Sequence, residues 1–253
     1  MSALPKGLRE EIARSLEFYR DLGVNRVSLE IAEQLEGFSP EQESIRERGP
    51  AVVNPPEPCE SDMFRASQRK LYELRSQMGN CQRCRLAGGR TTIVFGSGNP
   101  CAPLMFVGEG PGREEDMKGL PFVGAAGDLL TRMINAMQFT RDEVYIANIV
   151  KCRPPQNRDP EPDEVDTCMS FLEKQIEIIA PKALVLLGRV AAQSLLRVST
   201  SITAMRGAFK DYKGIPAMVT YHPAYLLRNP KAKKTVWDDL QQVMKIFGKT
   251  PAS

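Results

Sequence analysis

Four short, nearly continuous apolar runs lie along the chain from residue 104 onward: Leu104-Met105-Phe106-Val107, Val144 to Val150, Ala183 to Gly188 and Ile215 to Tyr221. Runs of this length without alternation are the pattern of strands buried on both faces. The stretches between them carry apolar residues at helical spacing. Leu129, Leu130, Met133, Ile134 and Met137 mark a helix over 126–137, and similar patterns cover 162–179, 190–196 and 233–247. Strands alternating with helices predict an α/β fold, a parallel sheet covered on both sides. Ligands of such sheets bind at the carboxyl ends of the strands. Glu109, Asn148, Gly188 and His222 all fall at or near those ends.

Ahead of this pattern the composition changes. Residues 6–22 place Leu8, Ile12, Leu16 and Tyr19 at helical spacing, and from Gly37 to Asp62 the chain is rich in Pro, Glu and Ser. That composition resists folding and reads as a linker. The expected organisation is a helical arm over 1–36, a Pro/Glu-rich linker over 37–62 and one domain over 63–253. A helix over 64–78 and a short edge strand over Thr91–Phe95 are expected at the start of that domain. Residues 1–62 hold 7 basic and 13 acidic side chains, leaving 27 basic and 18 acidic in the remainder, a net charge of +9. A basic domain favours a polyanionic partner. No run approaches a membrane span, and Met1 to Lys6 lack the apolar core of a signal peptide, so a cytoplasmic, nucleoid-associated protein is expected.

The chemistry concentrates in a few places. Gly108-Glu109-Gly110-Pro111-Gly112 closes the first strand with a turn whose glycines let backbone N–H groups approach a ligand. Cys81-x-x-Cys84 supplies two corners of a tetrahedral thiolate site, and Cys152 with Cys168 can supply the other two if the loops meet. Zinc and a [4Fe–4S] cluster both accept such a set. His222, the one histidine of the chain, leaves a strand into Pro223-Ala224-Tyr225-Leu226-Leu227-Arg228. Apolar residues bordered by cations suit a wedge pushed into a base stack while the phosphates are held. Asn148 is an amide in an apolar strand, complementary to a pyrimidine edge, and Phe122 can stack on a planar ring.

Together these motifs, with Gly119-Leu120-Pro121-Phe122-Val123-Gly124 and Lys151-Cys152-Arg153-Pro154-Pro155, resemble the family-4 uracil-DNA glycosylases, the iron–sulfur branch of that superfamily. The resemblance spans roughly residues 70–247. It implies a three-layer α/β/α sandwich with a central four-stranded parallel sheet, and hydrolysis of the N-glycosidic bond of uracil in DNA after the nucleotide is flipped out. It also implies a [4Fe–4S] cluster on Cys81, Cys84, Cys152 and Cys168. Phe122 would stack on the base, Asn148 would read its polar edge, and backbone groups around Gly110 would complete recognition. His222 would hydrogen-bond the oxygen that gains charge, Glu109 would place water or stabilise the cationic sugar, and Glu115 would crowd the pyrimidine C5. Tyr225, Leu226, Leu227 and Arg228 would touch the DNA. Gly110 stands where the family usually has Ala, from which a minor effect on rate or specificity is expected. The rival readings are a redox iron–sulfur protein and a nonenzymatic, polymerase-associated DNA-binding module. A monomer is expected, with the N-terminal arm open to a protein partner.

Overall fold

Five-residue apolar segments with no polar face can only be satisfied inside a sheet covered on both sides, and that is where they lie. In the computed structural model, which describes residues 58–250, the strands are β1 (Ser97–Gly98), β2 (Leu104–Gly108), β3 (Tyr145–Asn148), β4 (Ala183–Leu187), β5 (Phe209–Tyr212) and β6 (Ile215–Thr220). They form one sheet in the order β1-β3-β2-β4-β6-β5. The four central strands are parallel and the short edge strands β1 and β5 pair antiparallel. The expected four-stranded parallel sheet is thus the centre of a six-stranded one.

The helices are α1 (Pro58–Met78), α2 (Arg113–Lys118), α3 (Ala125–Ala136), α4 (Pro162–Ile179), α5 (Arg189–Leu196), α6 (Ile202–Met205), α7 (Pro223–Arg228) and α8 (Lys233–Ile246). Alternate strand residues feed two cores, as the pleat requires. Met105, Val107, Leu184 and Leu186 pack with α1, α4 and α5 on one face. Leu104, Phe106, Val185 and Leu187 pack with α3 and α8 on the other. Among the described residues no helix is long and apolar enough to cross a membrane.

Three local expectations need correction. Helix α1 begins at Pro58, inside the stretch read as linker. Residues 91–95 are not a strand: Val94 N–H donates instead to the Lys151 carbonyl at 2.8 Å, and the edge pairing falls to Ser97 and Gly98. The segment after His222 is not a loop but the six-residue helix α7. The helical arm over 1–36 and most of the linker lie outside the described residues.

The chain runs from β2 to β3 on one side and then crosses to β4 on the other. The crevice between the carboxyl ends of β2 and β4 is therefore a topological switch point, where open α/β sheets place their ligands.

Candidate active site

A cavity of about 420 Å³ occupies that crevice, lined by Glu109, Gly110, Glu115, Phe122, Asn148, His222, Tyr225 and Arg228. Residues from separate segments meet there: Glu109, Asn148 and His222 at or just past strand ends, Glu115 in α2, Phe122 in the turn between α2 and α3, and Tyr225 and Arg228 in α7. Gly108 lies opposite Asn148 in the β2–β3 register. A Cβ on Gly108 would stand 2.5 Å from Asn148 Oδ1 and 2.6 Å from Phe122 Cζ, so only glycine lets amide and ring occupy one corner. Asn148 is 1% exposed and its Oδ1 has no hydrogen-bond partner. An unsatisfied buried acceptor costs about 1–3 kcal/mol, a cost that a bound donor would remove.

Phe122 is buried with φ 53°, left-handed backbone that costs a bulky residue on the order of 1–3 kcal/mol. The surroundings hold it there. Arg141 donates to the Pro121 carbonyl at 2.5 Å and to Thr131 Oγ1 at 3.1 Å. Gly127 leaves room for the Phe122 carbonyl, which a Cβ would meet at 2.0 Å. The Glu115 carboxylate accepts from Gly112 N–H at 3.1 Å, Val123 N–H at 3.0 Å and Gly124 N–H at 3.2 Å. It thereby staples the glycine turn to the Phe122 turn. At Gly110 a Cβ would lie 2.8 Å from Val150 Cγ2, so this glycine is matched to the valine behind it.

His222 caps α7: its Nδ1 accepts from Ala224 N–H at 3.1 Å. In a neutral ring the proton then resides on Nε2. Burial pushes the imidazole pKa down to about 4; Glu115 opposes the shift and Arg228 adds to it. The ring packs 5.5 Å from Phe122, centroid to centroid. Glu109 moves the other way, up to about 7, through burial first and then the charge of Asp159, against the pull of Arg189. The site therefore offers a neutral donor and a carboxyl group poised near neutrality.

Behind Asn148, Cys81, Cys84, Cys152 and Cys168 line one small cavity of about 20 Å³ together with Arg90 and Lys151. Lys151 N–H points at Cys168 Sγ and an Arg90 N–H at Cys152 Sγ, both at 3.4 Å. Burial raises the Cys152 thiol to about 11 and also raises Cys168. Thiolates so placed need positive charge among them. Among the described residues no three Cys, His, Asp or Glu side chains are grouped as ligands of one ion. Four sulfurs thus surround one void, with N–H donors aimed at two of them.

One predicted contact does not survive. Leu226 is 1% exposed and belongs to the α3–α8 core, whereas Leu227 is 45% and Tyr225 39% exposed. Helical geometry explains the split, since adjacent residues on a helix face different directions. Sequence reasoning missed Arg158 and Asp159, which line the cavity, and Arg141, which braces the Phe122 turn. Their only signal was proximity to the Pro154-Pro155 turn and to α3.

A six-stranded α/β sheet with this crevice agrees with the family comparison: residues 95–241 match the model of the uracil DNA glycosylase superfamily, and the chain belongs to that superfamily. Within it the similarity is to type-4 enzymes. The chain is 44% identical over 187 residues to the type-4 uracil-DNA glycosylase of Sulfurisphaera tokodaii, covering 70% of this chain and 84% of that protein. It is 40% identical over 187 residues to the one of Archaeoglobus fulgidus, covering 71% and 94%. For Thermotoga maritima the figures are 42% over 188 residues, covering 72% and 98%.

Proposed function

We propose that the 420 Å³ cavity receives a uracil flipped out of DNA and that the residues around it drive hydrolysis of its N-glycosidic bond. A chain of this family is a hydrolase of N-glycosyl bonds acting in DNA repair, and uracil-containing DNA, single- or double-stranded, is its substrate. One observation carries the assignment of roles: a neutral imidazole donor, a partnerless amide oxygen and an aromatic ring share one cavity with a carboxyl group near pKa 7.

Phe122 stacks on the base. Asn148 Oδ1 accepts from the ring N–H, and backbone groups at Gly110 complete the fit. As the bond between sugar and base breaks, its electrons leave with the base. His222 Nε2–H donates to the oxygen where that charge collects, and a preorganised donor in a dry pocket lowers the barrier electrostatically. The Glu109 carboxylate lies on the side where the sugar becomes cationic, and there it orients water and takes its proton. A base with a pKa near the working pH serves this role best. Glu115, engaged by three backbone N–H groups, shapes the pocket beside the pyrimidine C5.

Cys81, Cys84, Cys152 and Cys168 would hold a [4Fe–4S] cluster, four thiolates being a common ligand set for one. It supplies a structural brace, because hydrolysis transfers no electrons and its ligands bracket the Asn148 loop. Tyr225, Leu227 and Arg228 meet the DNA at the cavity mouth. The domain that begins with α1 acts as a monomer at the nucleoid, with residues 1–57 available to a protein partner. The test is a uracil-containing oligonucleotide, incubated with the protein and then treated with alkali. Strand scission is expected, with Asn148→Ala slower by about 10²–10³-fold, the usual loss for one such polar contact; scission no greater than that of the variant would reject the reading.

A further inference from the structure

We infer that Lys151 is a positioning residue for Asn148: its buried ammonium holds the Asn148 carbonyl and so fixes the direction in which that amide faces the cavity. This rests on the role proposed above for Asn148. Lys151 is 1% exposed, among the largest side chains wholly enclosed by the fold. Its side chain turns back toward the end of β3, where Nζ donates to the Asn148 carbonyl at 2.7 Å and to Gln175 Oε1 at 2.6 Å. Gln175, fully buried in α4, donates in turn to the Phe95 carbonyl at 2.9 Å and to the Tyr145 hydroxyl at 3.2 Å.

The sheet explains why a long donor is needed there. Ile149 N–H is given to the Gly108 carbonyl of β2 at 2.9 Å, so the Asn148 carbonyl, one residue earlier, faces the β1 edge. Ser97 pairs with Ile146 and Gly98 with Tyr145; continuing that register would set Phe95 opposite Asn148, but β1 begins at Ser97. The Lys151 ammonium bonds the carbonyl where strand pairing has stopped. Burying an ammonium is costly unless it is hydrogen-bonded, and a bond from a charged donor is shorter and stronger than a neutral one. A firm hold matters because the amide has little room. A Cβ on Gly108 would stand 2.5 Å from Asn148 Oδ1, and Oδ1 has no hydrogen-bond partner of its own. The side chain therefore takes its direction from the backbone beneath it.

If Lys151 acts through Asn148, its removal matters only while the amide is present. Single-turnover cleavage of a single-stranded uracil oligonucleotide is measured for the native protein, Lys151→Met, Asn148→Ala and the double variant. Methionine removes the donor and keeps an unbranched stem, and the Lys151 backbone N–H aimed at Cys168 Sγ is retained. Lys151→Met is expected to slow the native background by about 10–10²-fold, the scale of a 1 Å misplacement, with oligonucleotide affinity unchanged. In the Asn148→Ala background the expected slowing is less than about 2-fold. Equal slowing in both backgrounds, or none in either, would overturn the inference. Gln175→Leu removes the second partner of the ammonium; it is expected to show the same background dependence and decides the matter should Lys151→Met fail to fold. Crystal structures of the native protein and the folded variant read the amide without turnover: a turned Asn148 side chain supports the inference, and an unmoved one overturns it. If the native protein releases no uracil, the reaction assignment fails, and the structural comparison still decides this one.

Discussion

An imidazole that stays neutral at working pH gives the departing base a donor without presenting a charge that the pocket must solvate. His222 is the only histidine, so its ring resonances need no assignment. They are expected to titrate near pH 4 and to stay flat from pH 6 to 8 in a proton NMR titration. Between pH 4 and 6.5 the folded chain binds fewer protons at this residue than the unfolded chain does. Stability from this source is therefore complete above pH 6.5 and lost as pH falls toward 4. His222→Gln should flatten that part of the pH dependence of the urea midpoint. At Gly108 the constraint is steric: Gly108→Ala places a methyl within 2.6 Å of both Asn148 and Phe122. A loss of activity by more than about 10²-fold is expected, because misplacement of a positioning group by 1 Å costs that much.

Helix α7 shows what one turn of secondary structure does to a surface. Read as a loop, the segment offers Leu226 and Leu227 together; wound as a helix, it buries the first and leaves the second outside. Leu226→Ala is expected to cost about 2–5 kcal/mol of stability in urea unfolding, the cost of a core leucine. Leu227→Ala should change stability by less than about 0.5 kcal/mol. It should also slow cleavage in duplex more than in single-stranded substrate, and equal slowing would remove the wedge role. The same helix sets the tautomer of His222, because capping α7 occupies Nδ1 and leaves Nε2–H for the ligand. The sequence placed His222 at a strand end correctly, but Pro223 at the first helical position was a start signal that the reading passed over.

For the whole molecule, the segment after α1, the loop after β3 and α4 bring Cys81, Cys84, Cys152 and Cys168 to one small cavity. Isolated protein is expected to contain about four iron and four sulfide per chain. Cys168→Ser should lower the iron content and the thermal midpoint together, and stoichiometric zinc would displace the cluster assignment. Much of this architecture was legible beforehand. Apolar runs such as 183–187 have no polar face, so they must be central strands, and the glycines of 108–112 must lie where backbone approaches a ligand. The edge strand β5 was not legible, because its alternating, half-exposed Phe209–Tyr212 carries little hydrophobic signal. Nor were the groups acting on Glu109 or bracing Phe122: Asp159, Arg189 and Arg141 lie 50, 80 and 19 residues from the side chains they serve. The sequence alone determined the α/β class, the strand ends and the residue types that do chemistry, since periodicity and backbone freedom are local properties. The direction of Leu226, the tautomer of His222 and the near-neutral pKa of Glu109 were decided by tertiary structure, because burial and opposing charge arise only when distant segments meet.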